Sequence, residues 1–327
     1  MRDGPPLRLG LLSTARINEL LVAGARQASG VEVVAIGSRD RARAEAQAQA
    51  LGVPRAHDSY EALVADPDVE AVYVALPNSL HVEWSLRALG AGRHVLCEKP
   101  LSRRPDDVGR AFNAAERGGL VLAEGLMWRH HPQARRLAEL LQEIGELRLI
   151  RASFSFLLER AGDVRLQTAL DGGALMDVGC YCVSAARLLA GEPVAVSAQQ
   201  VQGGDGVDVR LTGLLRFPGD VLATIDCGLD LAARDELEVT GTRGVLWLDD
   251  PWHCRSPAIE LRRADGSVER IAVEPLNPYA CELEDFAAAV AGERAPRYGR
   301  EDALAQARAI AAVYASAEAN EPREVGR

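Results

Sequence analysis

The sequence predicts an α/β protein in which a doubly wound parallel sheet at the N-terminus is followed by an α+β domain with an open, mainly antiparallel sheet. Two observations support this fold class. In the first third of the chain, short and almost wholly apolar segments alternate with helical ones, which is typical of parallel strands buried on both faces. Beyond residue 125, strand-like runs follow one another, joined by turn pairs such as Pro218-Gly219 and Asp265-Gly266. This change of pattern predicts two domains, residues 1–125 and 126–327.

The first domain is expected to alternate strands and helices throughout. The strands are expected at Leu7–Leu12, Val31–Ile36, Val69–Ala75, His94–Cys97 and Leu120–Glu124. The helices are expected at Thr14–Gln27, Arg41–Leu51, Ser59–Ala65, His81–Ala91 and Pro105–Arg117, with His57–Ser59 as a short extended link. Ser59 is expected to cap its helix, because a hydroxyl oxygen accepts a hydrogen bond from a free backbone N–H of the first turn.

The second domain is expected to build its sheet from strand-like runs joined without intervening helices. The runs are Leu147–Leu158, Val194–Gln202, Val207–Phe217, Val221–Leu229, Leu237–Thr240, Val245–Leu248, Ile259–Arg262 and Val268–Val273. Helices are expected at Pro132–Ile144, Gly172–Leu189, Tyr279–Ala291 and Arg300–Ala317. The Gly172–Leu189 helix would cover one face of the sheet, and apolar positions on the other face predict a homodimer or homotetramer formed through it.

The composition excludes several classes of protein. The 327 residues are 48% hydrophobic and 26% charged, which is ordinary for a globular chain. Lys and Arg number 37 against 47 Asp and Glu, and the net charge of −10 argues against nucleic acid or an anionic membrane as partner. No apolar run approaches the ~20 residues that span a bilayer. The six cysteines show no paired C-x-x-C spacing, which favours a cytoplasmic protein with reduced thiols.

Lys99 is the only lysine, so 36 of the 37 basic residues are arginine. A site that keeps lysine needs what arginine does not supply, a compact ammonium whose pKa can be shifted and whose proton can be released. The alternative is that one surface lysine has survived by chance.

The turn after the first strand is where a dinucleotide-binding fold keeps a glycine fingerprint that holds the pyrophosphate. Here Ser13, Ala15 and Asn18 stand at the three glycine positions. Small residues at the first two positions still permit close approach of the backbone. The segment is either an ordinary strand–helix turn or a modified pyrophosphate loop formed by Ser13, Thr14, Ala15, Arg16 and Ile17.

The tip of the second strand reads Ser38-Arg39-Asp40. An NAD site places a carboxylate at this tip to bind the ribose 2′-hydroxyl, whereas an NADP site places a cation or a hydroxyl there for the 2′-phosphate. The order of residues favours Ser38 and Arg39 as ligands of NADP, with NAD possible. The alternative is that Arg39 is a solvated loop cation.

Two further loops follow the third and fourth strands. The first contains Leu76, Pro77, Asn78 and His81, and the second contains Glu98 and Lys99. Ligands of open parallel sheets bind at the carboxyl ends of the strands. This position places the only lysine at the predicted site, which makes its chance survival a poor explanation.

The start of the Gly172–Leu189 helix carries chemically useful side chains among glycines. Asp177 and Tyr181 are four residues apart, so they are expected on one face of the helix. Gly179 is costly inside a helix and indicates a close approach by a neighbour. The alternative is a surface aspartate and a half-buried tyrosine without function.

No metal site is predicted. His130 and His131 are adjacent in the sequence. Side chains of adjacent residues diverge, and no carboxylate or cysteine stands at a suitable spacing from them.

These motifs resemble the glucose–fructose oxidoreductase/inositol dehydrogenase (Gfo/Idh/MocA) family. The resemblance rests on Glu98-Lys99-Pro100, the Pro77-Asn78-x-x-His81 loop and the segment from Gly172 to Tyr181, and extends to Asn277-Pro278-Tyr279 and residues 299–304. It implies an N-terminal Rossmann domain and a C-terminal domain whose open sheet usually serves oligomerisation. It also implies NAD(P)-dependent hydride transfer at a carbinol or carbonyl carbon, usually of a sugar or polyol.

The resemblance also implies roles for single residues. Lys99 matches the catalytic lysine and Asp177 the acid of the Gly-rich helix, while Tyr181 matches the tyrosine of the xylose dehydrogenase and dihydrodiol dehydrogenase branches. Arg165 and Tyr279 match positions that approach cofactor or substrate. In the mechanism this implies, Tyr181 is the general acid/base and the ammonium of Lys99 lowers its pKa.

Two alternatives to an oxidoreductase of a sugar, polyol or related diol stay open. One is a reductase of the 3-keto group of a nucleotide-linked sugar, and the other is a non-catalytic dinucleotide-binding regulator. A nucleotide diphosphate would need a basic cluster in the second domain, and the sequence shows none that is decisive. A regulator has no use for a proton relay, so Lys99, Asp177 and Tyr181 together favour an enzyme.

Overall fold

The computed structural model describes residues 4–160 and 162–326. They form two compact units that do not follow a single cut in the sequence. Unit one comprises the chain up to Ser102, Asp106–Met127 and Asn277–Leu304. Unit two comprises Arg103–Pro105, Trp128–Leu276 and the chain from Ala305 onward. The return of residues 277–304 to unit one has no signal in the sequence.

The strands are β1 Leu7–Leu12, β2 Val31–Gly37, β3 Arg55–His57, β4 Ala71–Val74, β5 His94–Glu98, β6 Leu122–Gly125, β7 Leu147–Leu157, β8 Ala195–Gln202, β9 Asp208–Arg216, β10 Leu222–Gly228, β11 Asp230–Gly241, β12 Gly244–Leu248, β13 Ala258–Arg263, β14 Val268–Ala272 and β15 Arg323–Glu324. The helices are α1 Asn18–Ala25, α2 Arg41–Leu51, α3 Tyr60–Ala65, α4 His81–Gly90, α5 Pro105–Gly118, α6 Pro132–Leu140, α7 Cys180–Ala190, α8 Pro278–Val290 and α9 Arg300–Ala319.

Unit one is built on a parallel sheet with the strand order β3-β2-β1-β4-β5-β6. The expected doubly wound architecture is therefore confirmed. The predicted extended link His57–Ser59 overlaps at His57 with a strand that was not predicted, β3, which pairs with β2. Ser59 caps α3 as expected, because its Oγ accepts a hydrogen bond from the Ala62 backbone N–H at 3.1 Å. The first helix begins at Asn18 rather than Thr14, since the preceding turn is not helical.

Unit two contains a sheet with the order β14-β13-β12-β11-β7-β10-β9-β8-β15. Its paired strands are antiparallel except β7 and β10, which run parallel, so the prediction of a mainly antiparallel sheet is confirmed. Residues of β9 and β10 alternate between buried and exposed positions. Helix α7 packs on β7 and β10 and covers the buried face.

Among the described residues, one helical stretch is long and apolar enough to be a candidate membrane span, Thr168–Ala190, with mean hydropathy 1.3. Within the protein, 83% of that window is buried. The stretch includes α7, whose contacts with β7 and β10 give its apolar side chains an interior to fill. The high mean hydropathy of Thr168–Ala190 is that of a helix packed in the protein core.

Candidate functional site

The residues predicted to form a dinucleotide site in unit one follow the carboxyl ends of four neighbouring strands. Ser13 follows β1, Ser38 follows β2, Leu76 comes after β4 and Lys99 follows β5. These strands are adjacent and parallel, so the four loops lie at one edge of the sheet. The structure thus brings together the unit-one residues that the sequence assigned from separate motifs.

The first turn has a glycine-like backbone without glycine. Ser13 has a φ of 121°, a conformation that L-residues other than glycine rarely adopt. Its Oγ donates to the Ala75 carbonyl at 2.6 Å and accepts from the Ala15 N–H at 3.1 Å. The serine hydroxyl therefore holds the turn in the shape that the first glycine of the fingerprint would otherwise provide.

Two amide side chains brace the same turn. Asn18 Nδ2 donates to the Ser13 carbonyl at 2.8 Å and to Gln47 Oε1 at 2.9 Å. Gln47 Nε2 donates in turn to the Ala15 carbonyl at 3.2 Å. Thr14, Ala15 and Ile17 remain partly accessible and Arg16 is exposed. The small side chains and the following helix N-terminus are compatible with a pyrophosphate, and its binding by residues 13–17 stays a prediction.

The tip of β2 presents a cation rather than a carboxylate. Arg39 is exposed, and its guanidinium carbon lies 6.0 Å from the centre of the Tyr60 ring. The carboxylate of Asp40, which is exposed, accepts a hydrogen bond from the Arg43 N–H at 3.1 Å and caps α2. Ser38 is buried, and its Oγ accepts from the Asp40 N–H at 3.2 Å. This donor set fits a 2′-phosphate better than a 2′-hydroxyl.

His81 connects two of the loops. It is 1% exposed, and its Nδ1 lies 2.9 Å from the Pro100 carbonyl and its Nε2 lies 2.8 Å from the Leu76 carbonyl. His81 thereby ties the Leu76–Asn78 loop to the segment that follows Lys99. Pro77, Asn78 and Lys99 are partly accessible. A cofactor contact by His81 itself stays a prediction.

Three carboxylates, those of Glu98, Glu124 and Glu282, lie around the carboxyl ends of β5 and β6. The Tyr73 hydroxyl donates to the Glu98 carboxylate, and the Leu101 N–H donates to Glu124 Oε1 at 2.6 Å. Glu282 of α8 is 1% exposed, and neither of its carboxylate oxygens has a hydrogen-bond partner among the described residues. Burial, and then the charges of Glu98 and Asp285, raise the pKa of Glu282 well above its usual value.

Gly125 lies beside this acid. A Cβ at Gly125 would lie 3.6 Å from Glu282 Oε1 and 3.2 Å from the Cys97 carbonyl. No sequence motif pointed to Glu282, because α8 returns to unit one from a position more than 150 residues downstream of Gly125. Tyr279 of the same helix is 8% exposed, and its backbone N–H donates to the capping Asn277 side chain at 3.0 Å.

Glu282→Gln is expected to stabilise the protein increasingly as the pH rises. Because burial raises the pKa of native Glu282 well above that of the unfolded chain, the wild type loses stability as the pH rises from the unfolded pKa toward the folded one. Glutamine removes this loss, with a limiting slope of about 1.4 kcal/mol per pH unit. Urea unfolding of wild type and Glu282→Gln at several pH values measures this difference in stability. Glu284→Gln is the control, because Glu284 is an exposed glutamate on the same helix. Parallel curves for wild type and Glu282→Gln would contradict the assignment.

In unit two, the Gly-rich segment forms one π-helical turn, Leu175–Gly179, that continues into α7. Asp208 of β9 caps its start: Oδ2 accepts from the Leu175 N–H at 2.7 Å and Oδ1 accepts from the Tyr314 hydroxyl at 2.8 Å. Burial raises the pKa of Asp208 to about 6. Gly173 has a φ of 124°, and a Cβ there would lie 2.0 Å from Asp208 Oδ1. The sequence missed Asp208, which is 33 residues from Leu175.

Gly179 does allow a close approach, as the sequence indicated. A Cβ at Gly179 would lie 2.7 Å from the Sγ of Cys227 on β10. The neighbour is therefore a strand of the protein's own sheet. This tight contact seats the Gly-rich segment on the sheet and fixes where its side chains emerge.

Tyr181 sits in an aromatic cluster. Its ring centre lies 5.3 Å from that of Phe154 in an edge-on arrangement and 6.0 Å from that of Trp252. Trp252 is fully buried and is fixed by a hydrogen bond from its Nε1 to the Ser153 carbonyl at 3.1 Å. Tyr181 is itself 7% exposed. The packing restricts the phenol ring, which suits a group that must present its hydroxyl in one direction.

Asp177 is half-buried beside a cation. Arg165 Nη1 donates to Asp177 Oδ2 at 3.4 Å. Unit two thus holds Arg165, Asp177 and Tyr181, while unit one holds Lys99, Tyr279 and the predicted cofactor loops.

One group of possible metal ligands occurs among the described residues, and the sequence did not point to it. The ligand atoms of Asp235, Asp250 and His253 lie within 4.8 Å of one another. The Arg255 guanidinium already lies 3.6 Å from Asp235 and 3.7 Å from Asp250, so a cation would compete with it. His131, considered with His130 in the sequence, caps α6 by accepting from the Gln133 N–H at 3.1 Å.

Comparison with known proteins shows a match to two domain families, one in each half of the chain. The model of the Gfo/Idh/MocA oxidoreductase family with an NAD-binding Rossmann fold matches residues 9–126, and the model of the Gfo/Idh/MocA C-terminal domain matches residues 134–247. The chain is 41% identical over 317 residues to D-xylose 1-dehydrogenase (NADP(+)) 2 of Haloferax volcanii, covering 95% of this chain and 98% of that protein.

Two further similarities extend over nearly the whole chain. A dTDP-3,4-didehydro-2,6-dideoxy-alpha-D-glucose 3-reductase of Actinomadura kijaniata is 36% identical over 320 residues, which are 95% of this chain and 96% of the reductase. The crystal structure of a 3-ketoreductase from Actinomadura kijaniata in complex with NADP and TDP-benzene matches with a TM-score of 0.90 at 35% identity, covering 95% of this chain and 98% of that one. The protein is an oxidoreductase, and its chain belongs to the Gfo/Idh/MocA family.

Proposed function

We propose that the protein transfers hydride between NADP(H) and a carbinol or carbonyl carbon of a sugar, a polyol or a related diol. The observation that carries this proposal is the position of the only lysine, Lys99, which follows β5 at the sheet edge where the predicted dinucleotide loops converge. The fixed phenol of Tyr181 and the carboxylate of Asp177 supply the proton chemistry that a hydride-transfer site needs.

The proposed cofactor contacts divide by chemistry. The backbone of residues 13–17 and the N-terminus of α1 would hold the pyrophosphate, while Ser38 and Arg39 would hold the 2′-phosphate. The Leu76–Asn78 loop, His81, Glu98 and Tyr279 are proposed to shape the remaining contacts. When bound, the cofactor supplies the hydride acceptor or donor, and the protein supplies placement and charge.

In the proposed mechanism, Tyr181 removes the hydroxyl proton of the substrate during oxidation and returns it during reduction. A free phenol has a pKa of about 10, which is too high for a base near neutrality. The ammonium of Lys99 is proposed to favour the phenolate and to polarise the carbonyl in the reverse direction. Asp177 is proposed to orient the substrate hydroxyls or Lys99.

A second candidate substrate is the 3-keto form of a nucleotide-linked sugar. It is supported by the relative named as a dTDP-sugar 3-reductase and by the matching 3-ketoreductase structure determined with TDP-benzene. The similarity to the xylose dehydrogenase is higher, at 41% against 36% identity, and favours a free sugar.

The proposal is tested by following NADPH absorbance with the purified protein and a panel of aldoses, polyols, diols and dTDP-linked ketosugars, each with NADP(H) and NAD(H). Turnover of a free sugar or diol with NADP(H) supports the first candidate, and selective turnover of the dTDP-sugars supports the second. Tight NADPH binding without turnover of any compound would indicate a non-catalytic regulator.

Arg39→Ala is expected to raise the Kd for NADP(H) and to leave that for NAD(H) nearly unchanged. A charge-assisted contact to the 2′-phosphate contributes about 1.5–3 kcal/mol, or roughly tenfold or more in affinity. Fluorescence titration with both cofactors measures the change, with Arg117→Ala as control because Arg117 is exposed at the end of α5. Equal or tighter NAD(H) binding by the unmodified protein would overturn the assignment.

We also propose that the protein is cytoplasmic and forms a homodimer or homotetramer through the outer face of the unit-two sheet. Leu214 and Leu222 point outward there and are 42% and 38% exposed. Ion pairs lie on the same face, among them Arg151–Glu238. Light scattering at micromolar concentration tests the assembly, and a monomer would count against it.

A further inference from the structure

The segment between β7 and the Gly-rich helix holds an arginine whose three nitrogens all face carboxylates. Arg165 Nε lies 2.9 Å from Asp163 Oδ1, and Nη2 lies 3.1 Å from Asp163 Oδ2. The remaining nitrogen, Nη1, is the one that reaches Asp177 Oδ2 at 3.4 Å. A bidentate pair of this kind fixes the plane of the guanidinium, and with it the direction of the third nitrogen.

The arginine is also held from other sides. Its guanidinium carbon lies 5.4 Å from the centre of the Phe156 ring, and its backbone carbonyl accepts a hydrogen bond from the Gly173 N–H at 2.8 Å. A Cβ at Gly172 would lie 2.5 Å from that carbonyl oxygen, so this closure requires glycine. The loop and the start of the Gly-rich segment are therefore joined at both the backbone and the side chain of Arg165.

The charges agree with the geometry. The hydrogen bond from Arg165 lowers the pKa of Asp163, which keeps this support ionised. Burial alone would lower the pKa of Arg165, but its hydrogen bond to Asp163 and the charge of Asp177 outweigh burial and raise it. The guanidinium is shared unequally, because Asp163 takes two nitrogens at shorter distances and Asp177 takes one at a longer distance.

We infer that Arg165, held by Asp163 and Phe156, is a positioning residue that orients Asp177 and balances its charge. This inference rests on the proposed function, in which Asp177 orients the substrate hydroxyls or Lys99. It gives Arg165 a role through Asp177, whereas the family resemblance placed Arg165 near cofactor or substrate.

The experiment compares Arg165→Gln, Arg165→Lys and Asp163→Asn with Arg160→Gln, a matched control at an exposed arginine of the same loop. Arg165→Gln is expected to lower kcat by about tenfold or more and to change the Kd for NADPH by less than about twofold, since misplaced catalytic groups cost turnover rather than cofactor affinity. Arg165→Lys keeps the positive charge but loses the planar, bidentate guanidinium. Its kcat is expected to lie between those of Arg165→Gln and the control Arg160→Gln. Thermal unfolding establishes that each variant is folded.

The pH profile separates this role from a merely structural one. A carboxylate that loses a neighbouring cation holds its proton more tightly, so the acid limb of kcat/KM against pH should move to higher pH in Arg165→Gln and stay in place in Arg160→Gln. A raised Kd for NADPH with normal kcat would make Arg165 a cofactor ligand and overturn the inference, as would an unchanged kcat and acid limb. An unmodified protein without turnover would refute the proposed function and this role with it. An active wild type with an unaffected Arg165→Gln variant would refute only this role.

Discussion

Replacement of Tyr181 by phenylalanine is expected to lower kcat by about 10²- to 10⁴-fold, the usual contribution of a general acid/base. The substitution removes only the hydroxyl, so the edge-on contact with Phe154 and the packing against Trp252 remain. NADPH affinity should stay nearly unchanged, because Tyr181 belongs to unit two and the predicted phosphate contacts belong to unit one. Steady-state kinetics and NADPH titration of the same preparation measure both quantities.

A matched control for this substitution is Tyr298→Phe, at a tyrosine outside the proposed site. It should keep kcat, since the loss is assigned to one hydroxyl and not to tyrosine content. Near-normal turnover of the Tyr181→Phe protein would refute the mechanism. His130 and His131 would then be the next candidates for the base, although His131 is fully buried and burial lowers its pKa.

Replacement of Lys99 by arginine is expected to lower activity by orders of magnitude even though the charge is kept. Arginine spreads its charge over a planar fork and does not release its proton, whereas the proposed role needs a compact ammonium. Lys99 differs in this respect from every other Lys or Arg position of the chain, because all the others are arginine. Kinetics of Lys99→Arg at saturating NADPH measure the loss, and a fall of less than about tenfold in kcat would contradict the role.

The two residues are expected to act as a unit. If Lys99 and Tyr181 form one proton relay, the double variant should be little worse than either single variant, because effects within a catalytic unit are strongly non-additive. Losses that multiply in the double variant would show that the two side chains act independently.

Much of unit one could be predicted because its signals are local. Apolar runs and the helices between them define a parallel sheet, and the rule that ligands bind at the carboxyl ends of its strands placed the loops after β1, β2, β4 and β5 at one edge. The unusual first turn also had a local signal, since Ser13 and Asn18 stand where glycines are expected. The bracing of that turn by Gln47, 29 residues beyond Asn18, had none.

The features that escaped prediction depend on contacts between distant parts of the chain. Asp208 of strand β9 caps the helical Gly-rich segment, and Glu282 of helix α8 lies beside Gly125 at the end of β6. Their burial without nearby sequence cues follows from tertiary packing, which composition and periodicity do not encode. The Arg165–Asp177 contact was missed for a different reason. The family resemblance suggested that Arg165 approaches cofactor or substrate, and only the geometry pointed to its contact with Asp177.

The most direct test of the central claim is the pH dependence of kcat/KM for alcohol oxidation in the wild type and in Lys99→Arg. If Lys99 lowers the pKa of the Tyr181 phenol, log(kcat/KM) in the wild type should rise with pH through an inflection clearly below the value of about 10 for a free phenol. In Lys99→Arg the inflection should move to higher pH, because the delocalised guanidinium stabilises the phenolate less than a compact ammonium does. An inflection at the same pH in both proteins would contradict the account.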